Sequence, residues 1–166
     1  MNPEISAREP DLSREYKTGF SWHPSRSLLA SIRTYQRCIE SRNLLFIIVR
    51  QLAVLRHRFW SVVTGADIPI NTRIGGGLLL PHPNGIVIHA GVEIGPNCLI
   101  FQQVTLGSAD GGVPRIGGHV DIGAGAKILG AVEIGDHTRI GANAVVLRDV
   151  PTGKTAVGVP AVIVNG

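Results

Sequence analysis

From Ile68 onward the chain repeats every six residues, a period that fits neither an α-helix, at about 3.6, nor a strand, at about 2. Aliphatic side chains fall at Ile68, Ile74 and Leu80. They resume at Ile88, Ile94, Ile100 and Leu106, and again at Ile116, Ile122, Ile128, Ile134, Ile140 and Val146. Four positions after an aliphatic residue comes a small or β-branched one, as at Ala126, Val132, Thr138 and Ala144. Such a period is the signature of a parallel β-helix. Each unit supplies a short strand and a turn, and three units close one triangular coil. Stacked coils bury a continuous aliphatic column that no single unit could bury alone. The expected fold is mainly β: a parallel β-helix over residues 66–166, preceded by a short α-helical segment.

The segment before the repeat reads differently. Residues 1–24 are polar, with Pro10, Gly19 and Pro24, and suggest a flexible, loosely ordered arm. Residues 25–65 form the helical segment. Leu28, Leu29, Ile32, Tyr35 and Ile39 give a helical spacing over 25 to about 40. Asn43 can cap a second helix, from Leu44 to about Val63, with Gly65 as its stop. Its stripe of Leu45, Ile48, Leu52, Leu55 and Phe59 is expected to pack on the prism or between copies of the chain, rather than on a membrane.

Composition narrows the classes. Of 166 residues, 44% are hydrophobic and 17% charged, so a real core forms and global disorder is excluded. The net charge of +4 comes from scattered Lys and Arg. That suits an anionic, phosphate-bearing ligand and gives no footprint for nucleic acid. Cys38 and Cys98 lie far apart, with neither disulfide nor metal spacing, which fits a reducing cytoplasm. The N-terminus has no apolar signal core. The apolar run from Leu44 to Val49 is far shorter than the roughly 20 residues that span a bilayer.

Two breaks interrupt the repeat, and a stiff solenoid must release extra residues as loops. Two extra residues lie between Leu80 and Ile88, and four between Leu106 and Ile116. The first break, "LPHPNG", carries His82 between two prolines. Histidine is the usual general base for a hydroxyl nucleophile. Asp67 precedes it by about one coil, so a carboxylate on an adjacent coil can fix its tautomer. His89, His119 and His137 fall at turn positions inside regular repeats and are expected on the surface.

"LLLPHPNGIVIHAGVEIGPNCLIFQQVTLGS" and "IGAGAKILGAVEIGDHTRIGANAVVLRDVPTGKTAVGVPAVIV" resemble the hexapeptide acyltransferases, most of all their serine O-acetyltransferase group. The resemblance covers residues 66–164. It implies a left-handed prism, a homotrimer, and acetyl-CoA as co-substrate lying between adjacent prisms, with no metal. On it, His82 matches the catalytic base and Asp67 its partner. Gly107, Ala124, Gly125 and Ala142 match the cofactor groove, with Lys127, Arg148 and Lys154 as phosphate contacts.

Several departures bear on the acceptor. Serine acetyltransferases usually carry "DH" where this chain has Pro81-His82. Their second insertion usually resembles "RHPKIG"; here it is "GGVPRIG", so Gly112 and Val113 stand in place of Arg and His. Only about forty helical residues precede the prism, and the chain stops at "VNG", without the tail that docks such enzymes on a pathway partner. These features look more like the small exopolysaccharide and capsule acetyltransferases of the colanic acid type. The expectation is O-acetylation of a glycan hydroxyl, with L-serine as the alternative small-molecule acceptor, in a cytoplasmic enzyme.

Overall fold

A computed structural model describes residues 5–17, 21–41 and 43–164. Residues 1–4 and 18–20 of the arm, Gly19 among them, and the last two residues lie outside that description.

Two helices come first. α1 (Pro24–Cys38) has proline in its first turn, where the missing N–H costs no helical bond. α2 (Leu44–Thr64) begins where Asn43 accepts a bond from the Leu45 N–H at 2.9 Å. It ends at Gly65, which is left-handed with φ +64°.

The repeat then builds three parallel sheets, the faces of a solenoid. One stacks Arg73–Ile74, Glu93–Ile94, Arg115–Ile116 and Glu133–Ile134. A second stacks Val87–Ile88, Thr105–Gly107, Lys127–Leu129 and Val145–Val146. The third stacks Leu99–Ile100, Asp121–Ile122, Arg139–Ile140 and Thr155–Val157, and Val162–Val164 folds back antiparallel on its end. Strands are only two or three residues long because each face ends at a corner. The sixfold aliphatic residues fill the interior: Ile88, Ile100, Leu106, Ile122 and Ile128 are all buried. So are Ala126, Val132, Thr138 and Ala144, the small positions near corners.

The register confirms where the extra residues leave. A regular coil pairs Val87 with Thr105 and Asp121 with Arg139, eighteen residues apart. Across the first break Arg73 pairs with Glu93, twenty apart, and across the second Glu93 pairs with Arg115, twenty-two apart. Neither insertion disturbs a strand.

α1 closes the first coil: Leu28, Leu29 and Ile32 join the same buried cluster as Ile68, Ile74 and Leu78. Arg33 fixes it, donating to the Ile74 and Gly75 carbonyls at 2.5 and 2.6 Å. α2 lies against α1 and buries Ala53, His57 and Thr64. Its expected core stripe is on the other side. Leu45, Ile48, Leu52, Leu55 and Phe59 are exposed in the chain and do not pack on the prism.

The arm also departs from expectation. Residues 5–17 are strapped along one corner of the solenoid. Asn97, fully buried and left-handed at φ +61°, donates to the Ser6 and Glu9 carbonyls and accepts from the Asp11 N–H. Leu12–Glu15 form a 3₁₀ turn, and Glu15 pairs with Arg33 at 2.6 Å while accepting from the Gly77 and Leu78 N–H groups. The arm passes over Gly118, where an added Cβ would lie 1.8 Å from the Ala7 carbonyl oxygen. His119, expected on the surface, is buried beside Gly118, and its Nδ1 lies 2.9 Å from that of His137.

Asn97→Ala removes three bonds and places alanine in a left-handed turn. It should destabilise the fold by about 2–3 kcal/mol in denaturant unfolding, and limited trypsin should cut at Arg8 and Arg14 much faster than in the parent chain.

Candidate active site

The first insertion sits at the corner that links the Leu99 face to the Val87 face. Gly85 N–H donates to the Gly65 carbonyl at 2.8 Å, and Val87 bridges Asp67, so the loop carrying His82 lies next to the start of the solenoid. Asp67 and His82 are both exposed. The residue opposite Asp67 is Val87, however, and neither the Asp67 carboxylate nor the His82 ring makes a hydrogen bond among the described residues. The expected carboxylate–imidazole bond is absent from the single chain.

Three more coils continue the same corner. Gln103 N–H donates to the Asn84 carbonyl, Gly125 N–H to that of Gln102, and Asn143 N–H to that of Ala124, at 2.8–3.0 Å. Gly85, Gln103, Gly125 and Asn143 thus stack as a column of left-handed turn residues below the His82 loop. Gly125 is required there twice over: its φ is +74°, and a Cβ would lie 2.2 Å from Asn143 Oδ1. Lys127 opens the adjoining strand and folds back to this corner, with Nζ on the Gln103 carbonyl at 2.5 Å.

Of the residues assigned by sequence to a cofactor groove, the structure therefore gathers Ala124, Gly125, Ala142 and Lys127 at the His82 edge. Gly107 lies one strand away, at the far end of the same face, where its carbonyl accepts from Gly130 N–H. Arg148 and Lys154 fall at the other two corners and are not brought to this edge within one chain.

Sequence reasoning missed the donors and acceptor that the edge offers. The backbone N–H groups of Gln102, Ala124 and Ala142 have no hydrogen-bond partner among the described residues. The Gln102 side-chain oxygen is buried and equally unpartnered. A slender chain of amide groups needs such an arrangement: successive N–H donors, one acceptor, and no side chain beyond a methyl group in between. An acyl-pantetheine arm fits these residues. Among the described residues, no three His, Cys, Asp or Glu side chains gather around a common point.

Asp67 also faces the helices. It acts on His57, which is buried on the inner face of α2 with Nε2 2.9 Å from the Ile68 carbonyl. Burial is the largest influence and pushes the His57 pKa down; the Ile68 carbonyl and Asp67 oppose it.

Comparison with known proteins agrees with this fold. Residues 114–148 match the family described as bacterial transferase hexapeptide (six repeats). A Helicobacter pylori serine acetyltransferase is 47% identical over 120 residues, covering 70% of this chain and 68% of its own length. One from Synechococcus elongatus is 43% identical over 107 residues, but the chain spans only 44% of that protein. Among solved structures, a serine acetyltransferase in complex with CoA superposes with a TM-score of 0.71 at 38% identity, covering 86% of this chain and 58% of that one. Soybean serine acetyltransferase complexed with serine gives 0.73, with the same identity and coverage. The chain belongs to the hexapeptide-repeat transferases, in their serine acetyltransferase-like group. The relatives' descriptions do not support the exopolysaccharide acceptor expected from Gly112 and Val113; they favour the L-serine alternative.

A ring kept neutral by burial binds fewer protons in the folded chain than in the unfolded one. The stability it contributes is complete above the ordinary imidazole range and is lost as pH falls through that range. The melting temperature should therefore fall from pH 8 to pH 5.5, and His57→Asn should flatten part of that slope in a thermal series.

Proposed function

We propose that the chain is an acetyl-CoA-dependent O-acetyltransferase acting on L-serine. The observation that carries this reading is the shared edge. The His82 loop stands at the head of a column whose lower coils present the unpaired N–H groups of Ala124 and Ala142 and the orphaned oxygen of Gln102. A base and an arm-binding surface thus lie along one line. The serine acetyltransferase relatives, including structures described with CoA and with serine, support both the donor and the acceptor.

In this reading acetyl-CoA supplies an acetyl group activated as a thioester. His82, exposed on a loop held by Pro81 and Pro83, accepts the proton of the serine hydroxyl as its oxygen attacks the thioester carbonyl. A new C–O ester bond forms and the C–S bond breaks. The proton held on His82 is then delivered to the departing thiolate, which leaves the ring neutral for the next cycle. Asp67 acts as a positioning residue; both side chains are exposed and have no competing hydrogen-bond partner among the described residues.

The proposed assembly is a homotrimer in which the donor lies between prisms. It rests on the resemblance to the hexapeptide acyltransferases, and Arg148 and Lys154, which lie away from the His82 edge of their own chain, would serve a ligand on a neighbour's. The reading places the chain in the cytoplasm and in cysteine biosynthesis, and Cys38 and Cys98 are both buried thiols. Among the described residues, no helix is long and apolar enough to cross a membrane.

A sugar hydroxyl is the second reading, and one observation favours it. Ala109 and Gly112 pair across the second insertion, and a Cβ on Gly112 would lie 2.3 Å from that of Ala131. The loop is thus closed against a large side chain at Gly112, and no cation precedes Arg115 to hold a serine carboxylate.

Thiol release from acetyl-CoA distinguishes these readings. L-Serine at low millimolar concentration should be turned over, and His82→Ala should lower kcat by roughly 10²–10⁴-fold. Turnover of sugars with serine inert would replace the first reading by the second.

A further inference from the structure

α2 presents two different faces. One holds Ala53, His57 and Thr64 against the rest of the chain. The opposite face carries Leu45, Ile48, Leu52, Leu55, Phe59 and Val62, none of them covered; Leu55 is 61% and Val62 83% exposed. At about 3.6 residues per turn these six occupy roughly a third of the helix circumference. Arg56 borders this stripe on one side and Arg58 on the other. A continuous apolar face of this size on a well-packed helix marks an interaction surface.

Charge decides what the surface meets. Neither α1 nor α2 contains a single Asp or Glu, whereas together they carry Arg26, Arg33, Arg37, Arg50, Arg56 and Arg58. Of these six, only Arg33 is engaged in an ion pair among the described residues. A second copy seated on the same face would bring two sets of arginines together at the rim with no carboxylate on either helix to pair with them. An anionic lipid surface supplies what is missing: an apolar layer for the leucines and phosphate groups for the flanking guanidiniums, whose stems can lie along the boundary.

From this geometry we infer that α2 lies flat on an anionic membrane surface, with the Leu52–Leu55 face buried in the outer acyl layer and Arg56 and Arg58 at the headgroups. The prism would then stand on the bilayer through the helical hairpin, and α1, which closes the first coil, would couple the two rigidly. The inference concerns a face that includes neither His82 nor Asp67 and does not depend on the acceptor.

The test is sedimentation of the full chain with vesicles of phosphatidylcholine, with and without phosphatidylglycerol. Binding should be at least about tenfold tighter when phosphatidylglycerol is present, and it should weaken as salt is raised. The double variant Leu52→Gln, Leu55→Gln changes only exposed positions, so its circular dichroism should match the parent; it should lose vesicle binding. Arg56→Gln with Arg58→Gln should lose the preference for phosphatidylglycerol. Absence of binding, or equal binding to both vesicles, would overturn the proposal. So would a fall in the solution mass of Leu52→Gln, Leu55→Gln in sedimentation equilibrium, since the face would then join copies of the chain.

Discussion

Everything in this molecule depends on backbone groups of one coil being satisfied by the next. Gly95 N–H reaches the Ile116 carbonyl at 2.8 Å, and Gly117 N–H reaches that of Ile134 at 2.7 Å. The aliphatic column, Ile74 through Ile134 on that face, rides on this ladder. A coil that gained a residue within a strand would lose the ladder and turn its side chains inside out. Extra residues are therefore tolerated only at corners. The chemistry of the fold gathers along its edges for this reason: the faces are fully used by stacking.

The consequence for the candidate site is a division of labour along one edge. The upper coil lends a loop, stiffened by Pro81 and Pro83, that can carry a reactive side chain. The lower coils contribute no general base, and Gln102 and Lys127 offer polar side chains there. They contribute shape, with Ala124, Gly125 and Ala142 leaving the backbone bare, and N–H groups that the ladder does not use. The corner where the arm lies has the same left-handed turns, at Asn97, His119 and His137, yet is covered by residues 5–17. Two corners with similar backbones are distinguished by what lies over them.

Much of this was legible in the sequence. The sixfold spacing gave the aliphatic column from Ile68 to Val146, and the counts of extra residues gave the coil registers of twenty and twenty-two. Asn43 and Gly65 marked the ends of α2 by their chemistry. The arm was not legible, because its attachment uses the carbonyls of Ser6 and Glu9 and a single asparagine ninety residues away, none of which has a periodic signature. His119 was misplaced for a related reason, since its burial beside Gly118 and against His137 exists only in the fold. The inner face of α2 was not legible, because an amphipathic pattern announces two faces without saying which is covered; Ala53 and His57 took the inner side and the stripe does not pack on the prism. Gln102 gave no signal, since its type is ordinary at a turn and its unpaired oxygen exists only in the fold. The preference for a glycan rested on Gly112 and Val113 together with Pro81-His82 and the short helical segment, and the relatives weigh against it.

The central claim is that the His82 edge, and not another corner, carries the acyl donor. Calorimetric titration with CoA tests it most directly, comparing the parent chain, His82→Ala and Ala142→Glu. Ala142 is exposed, so the glutamate leaves the core untouched while placing bulk and negative charge on the edge. The account predicts unchanged affinity in His82→Ala and a loss of at least about tenfold in Ala142→Glu, from like-charge repulsion and blocked backbone. Unchanged affinity in Ala142→Glu, with its fold intact, would contradict it.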